Sequence, residues 1–451
     1  MRPTPVQFML LVSLLFSAQA WAQTTATSDH NHLSAEVQGV YPTVQALYVD
    51  LHQYPELSGH EVNTAAKLAT HLRQLGYEVT EKVGGTGVVG VLRNGNGPTV
   101  MLRTELDALP VEEKTGLAYA SRVTTNDDSG HEVHVMHACG HDIHMSVWIG
   151  TAEIMSQTKG QWRGTLVLVG QPAEETVAGA KKMIADGLFA RFPKPEVGIA
   201  LHSGNNLPAG MVGFTPEYAS SNSDAVTITV YGKGGHGAMP STTIDPVVIA
   251  SKLVLSLQTI ISREIKPGDP AVITVGYVQG GTKSNIIPDE VHLGLSVRSY
   301  SPEVRKHLLA AIERIAKAEA EAANAPKPPL VRVVESTDAM YNDPKLSQRL
   351  SQVLIETLGA DNVRKLPPTM TSEDYSEFTE AGVPSFYFSL GVANPQQFKE
   401  AQANGTQLPS NHSPFYAPDM ASSLQTGVEA EVAILRALLS GNSVNAGTGA
   451  P

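Results

Sequence analysis

The 451-residue chain holds a single cysteine, Cys139. One thiol excludes an intrachain disulfide framework. Cations are also in deficit: Lys and Arg number 32 against 44 Asp and Glu, a formal charge of −12. That balance excludes a general binder of phosphate backbones, so no nucleic-acid partner is expected. Charged residues make up 17% and hydrophobic residues 42%, which excludes a mainly disordered chain. Mean hydropathy is −0.09, which excludes a polytopic membrane protein. At about 150 residues per domain, the length gives two or three domains. What remains is an acidic, multidomain globular protein, an enzyme or a binding protein.

Met1–Ala22 (MRPTPVQFMLLVSLLFSAQAWA) reads as a secretory signal peptide. Arg2 supplies the positive start and Phe8–Ala18 the apolar run, shorter than the ~18 residues of a spanning helix. Ala20-Trp21-Ala22 fits the small-x-small cleavage pattern, with Ala18-Gln19-Ala20 as the alternative site and an uncleaved anchor as the alternative reading. No cysteine lies near the cleavage site, which argues against a lipid anchor. The expectation is a periplasmic or secreted protein with no stable membrane insertion once the leader is removed. An oxidising compartment is hostile to a free exposed thiol, so Cys139 is expected to be buried and inert, or held by a metal.

Hydrophobic patterning gives an α/β chain. Val37–Leu75 has helical spacing broken at Tyr54-Pro55. Strand-length apolar runs follow at Val88–Leu92, Thr99–Arg103, Gly164–Gly170 and Val197–Leu201, with helical patterns at Met145–Thr158 and Ala178–Asp186. Such alternation predicts a largely buried sheet with helices on it. Ala219–Ser223 reads as a linker. Beyond it the order is strand Val226–Tyr231, helix Ile244–Glu264, strands Val272–Val278 and Val291–Val297, helix Pro302–Ala323, strand Leu330–Val334. That β-α-β-β-α-β order is the ferredoxin-like pattern. The expected division is 1–22 signal peptide, 34–218 first part of a catalytic domain, 219–336 an inserted domain, and 337–440 the second part, with helices at Pro344–Leu358 and Ser422–Leu439.

Chemistry-bearing residues gather at the ends of the predicted strands. His131, His134, His137, His141 and His144 fall within fourteen residues, with Cys139 among them. A Cys-x-His pair suits zinc and its neighbours in the transition series. Glu174 and Glu175 directly follow the strand GTLVLVG, at the edge where ligands collect in α/β sheets. Adjacent side chains diverge, so one could bind metal while the other moves protons. His202 ends another strand, His412 lies in a late loop, and Glu105 and Asp107 end a third strand. Gly232–Ala238 is glycine-rich but lacks the spacing of a phosphate loop.

Taken in order, RTELDALPVEEKTG, MHACGHDIH, GQPAEE, ALH, GKGGHGAMP, GGTKSNIIPDE, SVRSY, TSEDYSEF and NHSPFY resemble the zinc-dependent aminoacylase and carboxypeptidase family. The likeness is greatest to its amidohydrolase subgroup of hippurate and auxin–amino-acid conjugate hydrolases, and it runs from about Tyr41 to Leu439. The resemblance implies a two-metal α/β catalytic domain interrupted by a ferredoxin-like lid and dimerisation domain. It implies two divalent ions, zinc first, with manganese, cobalt and nickel also suited. The implied ligands are Cys139, His141, Glu175, His202 and His412. Glu174 would be the general base, and Asp107 a supporting carboxylate that orients a ligand. His236, Asn285 and Arg298 would contact substrate from the lid, His236 across a homodimer and Arg298 through a substrate carboxylate. An ordinary ion pair on the lid sheet is the other reading of Arg298. The expected activity is hydrolysis of N-acyl amino acids or related amides. A dipeptidase or carboxypeptidase on the same scaffold is the alternative, and a binding protein that has lost catalysis is a second. Two departures stand out. Glu105 replaces the subgroup's usual aspartate, and Ser121–Val135 is longer and more polar than the family stretch.

Overall fold

The computed structural model describes residues 32–440, so the signal-peptide segment lies outside the described residues. The chain forms two compact units. One is built from residues up to Phe214 with Pro344–Leu366 and the stretch from Pro384 onward; the other comprises Thr215–Asp343 and Pro367–Val383.

The first unit opens with helix α1 (residues 32–53) and α2 (Val62–Gln74), separated where Pro55 interrupts the apolar spacing. Next come β1 (Glu78–Val83), β2 (Gly87–Asn94), β3 (Thr99–Glu105), α3 (His141–Gln157), β4 (Gly164–Gln171), β5 (Val197–Pro208) and β6 (Val212–Phe214). The second unit follows with β7 (Ser223–Tyr231), α4 (Pro246–Thr259), β8 (Ala271–Gln279), β9 (Glu290–Ser299), α5 (Pro302–Ala322) and β10 (Leu330–Thr337). The chain then adds α6 (Pro344–Leu358), β11 (Val363–Lys365), β12 (Ser385–Ala393) and α7 (Met420–Leu439).

The sheet of the first unit has eight strands in the order β1-β2-β4-β3-β5-β12-β6-β11. Its centre, β4-β3-β5-β12, is parallel. Both faces of those strands are covered, so they read as near-continuous apolar runs: Leu166, Val167, Leu168 and Val169 of β4 are all buried. Sequence patterning finds β2 to β5 but not β1, β6, β11 or β12. β6 and β11 are three residues each, too short for a period, and β1 is an edge strand with little buried surface.

The second unit's sheet has the order β8-β9-β7-β10, with antiparallel pairing throughout. With α4 and α5 this is the ferredoxin-like arrangement. β7 alternates cleanly: Asp224, Val226, Ile228 and Val230 are buried, while the residues between them are half-exposed. Asp245 caps α4 at Val247 N (2.8 Å) and Ser301 caps α5 at Val304 N (3.1 Å), each with proline at the next position. Arg305 of α5 forks onto Asp224 of β7 at 2.9 and 2.7 Å. Helix Pro246–Glu264 is long and apolar enough to cross a membrane by length and composition, but its Ile249, Ala250, Leu253 and Leu257 are buried in this unit's core.

The stretch expected to be a linker, Ala219–Ser223, is not one. Ser220, Ser221 and Asn222 are buried; Asn222 Oδ1 accepts from Ser299 N and Oγ, and Ser221 N donates to Thr371 O at 2.9 Å. These bonds draw Pro367–Val383 into the second unit, which a boundary at 336 leaves out. Small polar residues read as flexible from sequence, but here they satisfy buried backbone groups.

Glu431 of α7 is buried in the first unit, and its Oε2 has no hydrogen-bond partner among the described residues. Burial pushes its carboxyl up to about 8. The folded chain therefore holds one proton more than the unfolded chain above the ordinary carboxylate range, and stability falls as pH rises toward 8. Glu431→Gln is expected to stabilise the protein by on the order of 3 kcal/mol at pH 7 and by much less at pH 4.5. Thermal unfolding of both proteins across that pH range checks it, and equal stabilities at pH 8 would refute it.

Candidate metal centre

The edge formed by the C-terminal ends of the parallel strands collects the reactive side chains. β3 runs into Asp107, β4 runs into Glu174 and Glu175, and β5 carries His202. Cys139 and His141 flank the start of α3, and His412 lies on the loop before α7. All of them belong to the first unit. Gly140 lies at φ 85°, and a Cβ there would collide with the Ser203 hydroxyl, so only glycine lets the helix begin this close to β5.

The donor atoms face one another. Cys139 Sγ is 3.5 Å from His202 Nε2. His141 Nε2 is 3.8 Å from Glu174 Oε2 and 3.9 Å from Glu175 Oε1, and His412 Nε2 is 3.4 Å from Glu175 Oε2. Three overlapping groups each place their ligand atoms within 4.8 Å: Cys139, His141 and His202; Cys139, Glu175 and His412; His141, Glu174 and Glu175.

The outer hydrogen bonds set which imidazole nitrogen is free. His141 Nδ1 donates to the Asp107 carbonyl at 2.8 Å, and His202 Nδ1 donates to the Ser203 carbonyl at 2.9 Å. Both rings therefore turn Nε2 inward, as metal-binding histidines do. His141 Nε2 and Glu175 Oε1 are buried with no hydrogen-bond partner among the described residues. Buried polar atoms left unpaired are costly, and a divalent cation would satisfy them. The donor set of thiol, carboxylate and imidazole fits zinc and its neighbours.

The electrostatics agree. Burial, then Glu175 and Glu174, pushes the Cys139 thiol well up, and burial raises Glu175. Burial and His144 pull His202 down to about 3, so it is neutral at physiological pH. Burial pulls against a charge on His141, but Asp107 and Glu105 outweigh it and bring the ring up to about 10. The pocket thus draws positive charge toward itself, and a bound cation would deprotonate the thiol outright.

Asp107 supports three groups. Its Oδ2 accepts from Ser58 Oγ at 2.6 Å and from Glu175 N at 3.0 Å, while its own carbonyl takes His141. A second network lies deeper. Arg103 is buried, pairs with Glu105, and donates through Nε to Gln171 Oε1 at 2.9 Å. Glu105 Oε2 accepts from His144 Nδ1 at 2.8 Å, and His144 Nε2 accepts from Ser203 N at 2.8 Å. Tyr416 and Asn411 complete it: Tyr416 OH donates to Ser203 Oγ, and Asn411 Nδ2 donates to the Cys139 and Ser203 carbonyls. The unusual Glu105 thus serves Arg103 and His144 at once. Sequence reading missed Ser58, Ser203, Asn411 and Tyr416 because their roles are hydrogen bonds to groups remote in sequence, which no spacing signals.

The three substrate-contact candidates lie in the second unit. His236 is exposed on a short strand paired with Ile286–Ile287, and Asn285 is exposed just before that pair. Arg298 is half-buried on β9 and donates to the Met370 carbonyl at 2.7 Å, with no ion pair to it among the described residues. His131 and His134 are exposed on the hairpin Thr124–Asn126/Glu132–His134 within the long segment 121–135.

Comparison with known proteins places this geometry in context. Residues 101–436 match the model of peptidase family M20/M25/M40. The chain is 31% identical to IAA-amino acid hydrolase ILR1-like 5 of Arabidopsis thaliana over 416 residues, 91% of each chain. It is 36% identical to hippurate hydrolase of Campylobacter jejuni, over 76% of this chain and 86% of that one. Among solved structures it resembles a dinuclear metal binding peptidase of the M20 family from Bacillus subtilis, at 26% identity and a TM-score of 0.72, covering 89% of this chain and 99% of that chain.

Glu105→Gln would remove the buried carboxylate that Arg103 and His144 share. The expected cost is about 3–5 kcal/mol of stability. Denaturant unfolding measures it, and a loss below about 1 kcal/mol, the size of a surface pair, would refute the role.

Proposed function

We propose that this chain, which belongs to peptidase family M20/M25/M40, hydrolyses the amide bond of N-acyl amino acids or related small amides. The observation that carries the reading is the carboxylate pair at the end of β4. Glu175 points a buried oxygen with no hydrogen-bond partner among the described residues into the donor cluster, while Glu174 lies 3.8 Å from His141 Nε2. Two relatives whose names specify hydrolysis of IAA-amino acids and of hippurate support the substrate class.

Cys139, His141, Glu175, His202 and His412 would hold two divalent ions, zinc first by ligand chemistry, with manganese, cobalt and nickel also suited. Such ions supply Lewis acidity and bring the pKa of a water toward neutrality. Glu174 takes a proton from the attacking water and returns it to the departing amine nitrogen. Asp107 holds the Glu175 amide and the His141 ring in place while this occurs. His236, Asn285 and Arg298 contact the substrate, Arg298 through a substrate carboxylate, since its fork keeps donors beyond the one given to Met370. A dipeptidase or carboxypeptidase on the same scaffold is the second reading, favoured by the solved relative's description as a peptidase.

The test is a chelator and metal-rescue assay on mature protein with N-acetyl and N-benzoyl amino acids beside dipeptides. Metal-dependent release from the acylated panel is expected. Cleavage of dipeptides alone would move the assignment to the peptidase, and no cleavage by loaded protein would point to a binding role. Glu174→Gln is expected to keep its metal and lose at least about 100-fold in kcat, within the range for a lost general base. Near-normal turnover would remove Glu174 from the mechanism.

Residues 1–22 would direct export to the periplasm or medium, and the second unit would form a homodimer through its exposed apolar surface, which includes Val248, Leu255, Tyr277 and Val278. Protein recovered from the producing cell would then begin at Gln23 and scatter light as a dimer. An N-terminus at Met1, or a monomer with full activity, would overturn the respective part.

A further inference from the structure

The turn that carries Glu174 is held by a residue outside the metal-binding set. Ala173 has φ 51°, a left-handed conformation that costs a residue with a side chain. Its carbonyl accepts from Ala178 N at 3.3 Å and Gly179 N at 3.1 Å. The loop is so tight that a Cβ on Gly179 would collide with the Pro172 carbonyl. The Ala173 amide donates to Glu61 Oε1 at 2.8 Å. The same oxygen accepts from Gly59 N at 2.7 Å, and Oε2 accepts from the Thr86 hydroxyl.

Glu61 is fully buried, and none of these three donors is a cation. A carboxylate is an expensive group to bury for the sake of two amides and a hydroxyl. A helix start needs no such device: Glu61 precedes α2, yet its side chain makes no capping bond to that helix. What its side chain does instead is join the 58–61 turn to the 172–179 loop. Three residues earlier, Ser58 donates to Asp107 Oδ2, which also takes the Glu175 amide. One short turn therefore braces both members of the carboxylate pair, Glu175 through Asp107 and the residue before Glu174 through Glu61.

We propose that Glu61 is a positioning residue for Glu174. By holding the Ala173 amide it keeps the strained backbone from relaxing, and so sets the point from which the Glu174 carboxylate projects. This rests on the reading of Glu174 as the proton carrier.

The test compares Glu61→Ala, which offers no acceptor, with Glu61→Gln, which keeps an oxygen for both amides. Kinetics on an N-acyl amino acid are normalised to bound metal, and amide exchange is followed across residues 172–179. Glu61→Ala is expected to lose about 100-fold in kcat with little change in KM, the size of effect that a misplaced group produces. Exchange in 172–179 should quicken in the same variant. Glu61→Gln should restore most of both. Where the alanine variant does not fold, Glu61→Asp withdraws the carboxylate by one methylene and should give the same pattern in weaker form. Loss of protection with kcat intact, or a kcat loss that glutamine does not rescue, overturns the proposal. An active Glu174→Gln would instead remove the proton-carrier reading, whereas an inactive Glu174→Gln beside a fully active Glu61→Ala overturns the positioning role alone.

Discussion

A thiol, imidazole nitrogens and carboxylate oxygens converge in one buried pocket with too few partners to satisfy them. Among the described residues His141 Nε2 and Glu175 Oε1 have no hydrogen-bond partner there, and most of the surrounding structure keeps them so. Left alone, such groups would rotate to find protein partners. They are prevented because each ligand is already committed on its far side: His141 to the Asp107 carbonyl, His202 to the Ser203 carbonyl, Glu175 through its amide to Asp107. The cost of the cluster is carried by these outer bonds, and a divalent cation would relieve it.

The outer bonds rest in turn on the parallel sheet. β3, β4 and β5 end side by side, so Asp107, Glu174 and His202 come together although they lie far apart in sequence. Beneath them the Arg103–Glu105–His144–Ser203 chain crosses from one strand end to another. A buried charge pair of this kind is poor value for stability alone. Its use here is geometric, because it fixes the His144 tautomer and through it the Ser203 backbone on which His202 depends. Glu105, longer by a methylene than the aspartate usual in the resembling subgroup, reaches both Arg103 and His144.

Much of this was legible in the residue order. The β2–β5 strands follow from near-continuous apolar runs, and the six elements of the second unit from apolar spacing. The candidate ligands were legible as residue types at strand ends, supported by the order of short motifs. β12 escaped notice although it is central: serine and glycine interrupt its apolar run, SFYFSLGVA. The 367–383 segment escaped because its place depends on bonds to Ser220 and Ser221, which are remote in sequence.

The sequence by itself determined the fold class, the inserted ferredoxin-like unit and the donor chemistry, because periodicity and residue type are local properties. The tertiary structure alone decided which nitrogen of His141 and His202 is free and that Asp107 serves two loops. It also decided that Glu61 meets the Ala173 amide 112 residues away and Ser58 meets Asp107 49 residues away, so that both brace the carboxylate pair. Those are hydrogen bonds between distant segments, and their partners are settled only when the strand ends meet.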